Sequence, residues 1–373
     1  MTYPIYYIGH SANKDDRFKA SSGGVGTSII KYLLESGQYG TSITYKYDRT
    51  DYRYHPNIIH SSEEMFPSGS IYQEIDLIRF VRDNISKIRN GIVLTCAPCQ
   101  VKPIRAILNK NAIKNFIISY CCSGQTEAEG TWFVENCLGI DKKEVESLQY
   151  RGNGWPSGIQ ITLQDGTKVY RDNYTEPWKT MHQSWLFRPY KCFFCKLDTG
   201  RAADIALADP WLDEYKKKDG IGNTMFLVFT DAGKSVIDAM HSSKLIISRL
   251  SNYEEYAIAQ APNIHKEIFA TEHKVYLKRL KRLISNQRYR NWAISSTKHV
   301  HIHMKIMRML RRTESIKSIN QSIMNIIKKV RGRLRRLHYS KKMHTDGSDF
   351  NVRGGLVLIA AIDSSFSLNH RAA

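Results

Sequence analysis

Two stretches decide how this chain folds: Gly91-Ile-Val-Leu-Thr95-Cys96-Ala97-Pro98-Cys99-Gln100 and Phe116-Ile-Ile-Ser-Tyr120-Cys121-Cys122-Ser123-Gly124. Each opens with a short apolar run suited to a buried strand, passes through a turn bearing cysteine, and leads into a helical pattern, Val101–Leu108 after the first and Ala128–Leu138 after the second. The same alternation runs upstream. Tyr3–Ile8 reads as a strand, Gly24–Ser36 as a helix with Ile29, Ile30, Leu33 and Leu34 on one face, Ser42–Tyr47 as a strand, and Tyr72–Ile88 as a helix through Ile75, Ile78, Val81 and Ile85. Strands alternating with helices predict an α/β (α+β) fold built on a mixed, partly parallel sheet with flanking helices.

Downstream the pattern changes. Gln160-Ile-Thr-Leu-Gln164, the turn Asp165-Gly166 and Thr167-Lys-Val-Tyr170 predict a hairpin insertion. Asp204–Leu207 and Gly222–Thr230 return to strands, and Asp231–Met240 to a helix. The compact body is expected to end near residue 270, giving a domain of 1–270, a basic helical extension of 271–344 and a tail of 345–373 to which no role is assigned.

The net charge of +20 is unevenly distributed. Residues 271–342 hold 21 Lys and Arg against two acids, Glu272 and Glu314, a net of +19; the rest has 34 basic and 33 acidic residues. The body is therefore nearly neutral, and the basic segment has its own logic. Lys274–Leu283 and Ile302–Leu337 mix cations with Leu, Ile and Met at helical spacing. Such helices suit an anionic membrane surface, nucleic acid phosphates or an acidic partner. Membrane is favoured over nucleic acid, since no nucleic-acid-binding motif is present. His299, His301 and His303 alternate and read as exposed residues.

The seven cysteines are odd in number and unevenly spaced, which excludes a disulfide scaffold. Met1–Gly9 lacks the basic start and long apolar run of a secretory signal, and no apolar run approaches the roughly 20 residues of a membrane span. A reducing cytoplasmic compartment is expected, where clustered cysteines serve metal or redox chemistry. In an open α/β sheet the carboxyl ends of neighbouring strands meet along one edge, so Cys99 and Cys122 are expected there together. The C-x-x-C pair Cys192 and Cys195 would complete four thiolates. Four thiolates suit an iron–sulfur cluster or a structural zinc, and spacing alone does not choose. Cys96, Cys121 and Cys137 read as small apolar residues.

At these residues the chain resembles the beta subunit family of coenzyme F420-reducing hydrogenase and dehydrogenase, whose relatives include chlorophyll-pathway reductases and bacterial proteins linked to polysaccharide synthesis. The blocks are ordered along residues 8–215: Arg17 with Ser21-Ser22-Gly23-Gly24; His55-Pro56; Gly69-Ser70-Ile71-Tyr72; Cys96-Ala97-Pro98-Cys99-Gln100; Cys122-Ser123-Gly124; Arg151-Gly152-Asn153-Gly154-Trp155; and Cys192 to Cys195 with Arg201-Ala-Ala-Asp204-Ile205 and Ala208-Asp209-Pro210-Trp211. The resemblance implies FAD and a [4Fe–4S] cluster held by Cys99, Cys122, Cys192 and Cys195. It depicts a flavoprotein oxidoreductase in electron transfer, with surface-polysaccharide biosynthesis as its setting. Many relatives begin with a ferredoxin-like box of cysteines. This chain has none before Cys96, so electrons are expected from an external carrier, ferredoxin-like or deazaflavin. Ser123 replaces the family's His, and Ala208 the Gly before Asp209.

Ser21-Ser22-Gly23-Gly24 precedes an apolar helix, where open N–H groups and the helix dipole favour phosphate. Arg17 and Lys102 are further candidates for flavin or substrate anions. Asp204 and Asp209 are expected to orient loops by accepting hydrogen bonds, and Trp155 and Trp211 to pack in the core or stack on a flavin ring. The competing expectation is a non-enzymatic, zinc-stabilised module that binds membrane or nucleic acid through its basic segment. Catalytic residues and the substrate are not legible.

Overall fold

The structure is a computed structural model that describes residues 3–66, 68–173, 175–196, 199–218 and 220–312. The expected helix beyond Arg312 and the tail 345–373 lie outside the described residues. The described chain divides into two compact units, residues 1–179 with 195–268, and residues 180–194 with 269 onward.

The first unit is built on an eight-stranded sheet. Its strands are β1 (Ile5–Ser11), β2 (Ser42–Asp48), β3 (Arg53–Ile59), β4 (Ile92–Thr95), β5 (Asn115–Tyr120), β9 (Ile205–Ala208), β10 (Thr224–Val228) and β11 (Ile246–Ser251). They lie in the order β11-β1-β10-β9-β5-β4-β2-β3. The centre, β9-β5-β4-β2, is parallel, and the flanking pairs are antiparallel. Strands β6 (Val145–Gln149), β7 (Gly158–Leu163) and β8 (Lys168–Asp172) form a separate antiparallel meander. Its second hairpin turns at Asp165-Gly166 as the sequence predicts, with Gly166 at φ +85°.

The central strands are buried on both faces, which explains their unbroken apolar runs. Successive side chains alternate between two cores. Val93, Phe116, Ile118, Phe226 and Val228 pack with α2 (Val25–Glu35) and α8 (Asp231–Ser242). Ile92, Leu94 and Ile117 pack with α3 (Leu77–Asp83) and α4 (Pro98–Lys110) on the opposite face. The remaining helices of this unit are α1 (Lys14–Lys19), α5 (Ala128–Cys137), the start of α6 (Trp178–Gln183), α7 (Asp213–Lys218), α9 (Tyr253–Ala259), α10 (Ala261–Ile264) and the start of α11 (Lys266–Glu272). The helix expected over Tyr72–Ile88 is shorter in the structure. Gln73 turns inward and exchanges two hydrogen bonds with the Tyr54 backbone. Asp76 then caps α3 by accepting the Arg79 N–H at 3.1 Å, so helix starts there and not earlier.

Two carboxylates tie the parallel centre to its surroundings. Asp204, just before β9, accepts from the Ile117 N–H at 2.8 Å, Arg105 Nη2 at 2.9 Å and Thr230 Oγ1 at 2.9 Å. Asp209, just after β9, is paired with Arg151, which follows the meander strand β6. Arg151 donates to its two oxygens at 2.8 and 3.1 Å. The side chains of the pair are 7% and 16% exposed, so the charges sit largely out of water. Burial alone would lower the Arg151 pKa, but the adjacent carboxylate more than offsets this and raises it.

The second unit contains residues 180–194, the end of α11, and helices α12 (Lys274–Ser285), α13 (Gln287–Ile294) and α14 (Thr297–Arg312). The helices bury Tyr276, Leu277, Leu280 and Ile284 from α12, Tyr289 and Ala293 from α13, and Val300, His303, Ile306, Met307 and Leu310 from α14. His303 is fully buried, not exposed as its alternation with His299 and His301 suggested. The reason is helical period. His303 sits three residues from Val300 and Ile306, on the face that Leu310 continues. Its Nδ1 lies 2.7 Å from the Tyr289 hydroxyl and its Nε2 2.8 Å from the Ser184 carbonyl, which requires hydrogen on Nε2. Burial pushes its pKa down to about 4, although the Ser184 carbonyl pulls the other way.

Two measurements test these anchors. Asp209→Ala leaves the Arg151 charge buried without its carboxylate, and should lower the urea-unfolding free energy by about 3–5 kcal/mol. The His303 pKa is depressed in the folded state, so its contribution is complete above the unfolded value near 6.5 and is lost as pH falls towards 4, to a total of about 3 kcal/mol. His303→Gln should flatten that part of the stability profile between pH 7 and pH 4.5, as read by unfolding midpoints.

Candidate cofactor site at the carboxyl edge

Strands β4, β5 and β9 run side by side in one direction, with Thr95 opposite Ile118 and Tyr120 opposite Leu207. They end together, at Thr95, Tyr120 and Ala208. Two antiparallel steps, β9 to β10 to β1, return β1 to the same direction, so β1 also ends there and β10 begins there. One edge of the sheet therefore gathers the turn before α4, the Cys121-Cys122 turn, Asp209, the Ser21–Gly24 loop and the Gly222–Thr224 turn.

On the cysteine side, Pro98 opens α4, a position where a missing N–H costs nothing. Cys99 follows in the first turn and is exposed, as is Lys102 one turn along the same helix face. Cys122 is half-buried after β5, and its carbonyl accepts from Lys266 Nζ at 2.9 Å. The Tyr120 hydroxyl accepts from Gln125 Nε2 at 2.7 Å. Its pKa is raised well above the usual phenol value, first by burial, then by Cys122, Tyr45, Cys96 and Cys99. Cys96 points into the core and is 2% exposed; burial, with Cys99 adding, pushes its pKa up to about 12, so it stays a thiol. Cys137 is exposed at the end of α5, away from these turns in sequence.

Cys195 is half-buried in the first unit, whereas Cys192 is buried in the second, so the unit boundary runs through the C-x-x-C loop. None of the seven cysteines is disulfide-bonded. Among the described residues one trio of metal-ligating side chains has its donor atoms within 4.8 Å of one another: Asp48, Asp51 and His55, all exposed. Cys99, Cys122 and Cys195 form no such trio. By donor chemistry, four thiolates suit an iron–sulfur cluster and a structural zinc alike.

On the loop side, Ser21–Gly24 is held by its own protein. The Ser21 carbonyl accepts from Arg151 at 2.5 Å, and the Ser21 Oγ accepts the Ser70 N–H at 2.5 Å. Thr224 Oγ1 lies 3.1 Å from Ser22 Oγ and accepts the Gly23 N–H at 2.8 Å. A Cβ on Gly23 would stand 2.6 Å from the Thr224 nitrogen. Gly24 caps α2 at φ +77°, where a side chain would be strained. Both glycines are thus accounted for by internal packing. What remains for an anion is the first turn of α2, where the N–H groups of Val25, Gly26 and Thr27 precede the first intrahelical bond, from Ser28 to Gly24. Arg17, half-buried in α1, donates through Nε to the Gly222 carbonyl at 2.8 Å beside this loop. Arg151 Nε is buried with no acceptor among the described residues.

Asp209 organises the aromatic groups. It accepts from Trp155 Nε1 at 3.2 Å, and its carbonyl accepts from Gln260 at 2.6 Å. Trp155 is 4% exposed and packs on Trp211 with ring centroids 4.8 Å apart. This is core packing. Sequence reasoning missed Tyr120, Thr224, Gln260 and Lys266. Tyr120 was visible as the last residue of an apolar run; the other three carry no local signal.

A family model for the N-terminal part of the coenzyme F420 hydrogenase/dehydrogenase beta subunit matches residues 6–81, and one for its C-terminal part matches residues 90–252. None of the curated proteins matches the chain. Among solved structures, a chain of the F420-reducing [NiFe] hydrogenase complex from Methanosarcina barkeri aligns with a TM-score of 0.56 at 14% identity, covering 73% of this chain and 92% of that one. At that identity the likeness speaks for the fold. Two adjoining family models in their proper order, on the fold of that hydrogenase chain, establish that this protein belongs to the coenzyme F420 hydrogenase/dehydrogenase beta subunit family.

Proposed function

We propose that the chain is an electron-transfer oxidoreductase with a [4Fe–4S] cluster on Cys99, Cys122, Cys192 and Cys195 and FAD at the amino end of α2. The observation that carries this reading is the parallel ending of β4 and β5, which leaves Cys99 and Cys122 on the sheet edge where the Ser21–Gly24 loop after β1 also lies. Once bound, the cluster would supply single-electron transfer and the flavin two-electron, hydride-level chemistry.

The protein's own residues have distinct duties in this reading. The amides of Val25, Gly26 and Thr27 would meet the flavin phosphates, with Arg17 adding charge. Ser21, Ser22, Gly23 and Gly24 shape that helix entry. Lys102, on the same helix face as Cys99, and Lys266, bonded to the Cys122 carbonyl, would add positive charge near an anionic cluster. Tyr120 and Gln125, hydrogen-bonded to each other after β5, would pack beside the Cys122 turn. Electrons would arrive from an external carrier, ferredoxin-like or deazaflavin, on the family resemblance alone. Surface-polysaccharide biosynthesis is the proposed setting, on the family resemblance alone.

Anaerobic purification followed by iron, sulfide, zinc and flavin analysis tests the reading. About four irons and one flavin per chain, with visible absorption that bleaches on reduction, are expected. Cys99→Ser and Cys122→Ser should each lose most of the iron, while Cys137→Ser should keep it. A colourless protein holding one zinc would overturn the proposal in favour of a metal-stabilised binding module.

A further inference from the structure

We propose that the exposed faces of α12 and α14 dock this protein on an anionic phospholipid surface. The described residues of the second unit contain 14 Lys and Arg and a single acid, Glu272. Between His273 and Arg312 there is no acid at all. The cations are ordered by helical period. Lys274, Lys278 and Arg282 stand four apart on α12, and Lys298, Lys305, Arg308 and Arg312 share a face of α14; all are exposed. The α14 row extends about 21 Å at 1.5 Å per residue.

The apolar faces of these helices are already used. Leu277, Leu280 and Ile284 on α12, and Val300, Ile306 and Leu310 on α14, are buried. The helices therefore do not insert as a free amphipathic helix would; they offer charge. The choice of partner follows from what accompanies the charge. Protein interfaces concentrate their energy in aromatic and apolar anchors, but Tyr276 and Tyr289 are buried, and the one large apolar side chain exposed on these three helices is Val275, 45% accessible. Single-stranded nucleic acid is held by stacking on open rings, but Trp292 is half-buried and stacked on His299 with centroids 4.7 Å apart. A plane of phosphate headgroups needs neither anchor nor ring. It gains roughly 1 kcal/mol for each basic residue brought to it, and ordinary salt screens that gain.

The test uses the full chain, sedimented with vesicles of mixed phosphatidylglycerol and phosphatidylcholine or of phosphatidylcholine alone. Binding is expected to the mixed vesicles only and to weaken steeply with salt. Lys298→Glu/Lys305→Glu/Arg308→Glu, with an unchanged circular dichroism spectrum, should bind roughly 100-fold more weakly or worse, and the corresponding triple Gln variant should fall between it and the parent. Equal binding to neutral vesicles, or no binding to mixed ones, would overturn the proposal. So would parental affinity in the Glu variant, which would move the site to the basic residues beyond Arg312, or binding of bulk tRNA with anionic vesicles ignored. The readout does not depend on cofactor content, so it stands apart from the redox reading.

Discussion

The ion pair between Arg151 and Asp209 is the constraint on which the carboxyl edge depends. Arg151 comes from the meander, Asp209 from the end of a central strand, and the same guanidinium holds the Ser21 carbonyl. Three segments distant in sequence thereby meet at one charge that is nearly out of water. A buried pair of this kind contributes little net stability over an apolar substitute, but it tolerates no half-measures, because either partner alone is a stranded charge. The geometry is thus specified more than it is stabilised. The Trp155 indole completes the coordination of the Asp209 carboxylate, and Gln260 holds the Asp209 backbone carbonyl.

Much of the architecture was legible because the central strands leave no ambiguity. Ile92–Leu94 and Phe116–Ile118 are apolar at every position and buried on both faces, and the strands are bounded by Gly, Pro and polar turns. The edge strands were harder. Arg53–Ile59 contains His55-Pro56, and proline is confined to edges because it cannot donate to a ladder. Ile246–Ser251 carries exposed Ile247 and Leu250, so its pattern does not alternate. In the site, the two cysteine turns were legible from topology alone, since parallel neighbours must end together. The pairing of Arg151 with Asp209 was not, since 58 positions separate the two residues and no local rule links them. Lys266 was equally silent; a lysine opening a short helix has no sequence signature for the carbonyl it meets.

The charge distribution illustrates a second limit of averages. Read as one number, the net charge suggests a basic protein. Divided by unit, it describes a neutral sheet domain and a small helical unit of nearly uniform sign. Like charges on neighbouring turns repel, and such helices would be marginal alone. They persist because Leu277, Leu280, Ile284, Val300 and Leu310 bury one face, and because His303 remains neutral between Tyr289 and Ser184.

The strand order has a consequence for how the molecule is made. The first strand has no partner among its sequence neighbours; it lies between β10 and β11, whose residues are translated more than two hundred positions later. At 5–20 residues per second the ribosome takes roughly 10–45 s to supply them. During that interval β4 and β5 are able to pair with each other, but β1, and the loop that Thr224 will fasten, must wait. The nascent chain therefore carries β1 unpaired until β10 and β11 have been made, and closure of the sheet is the event that brings both sides of the edge together.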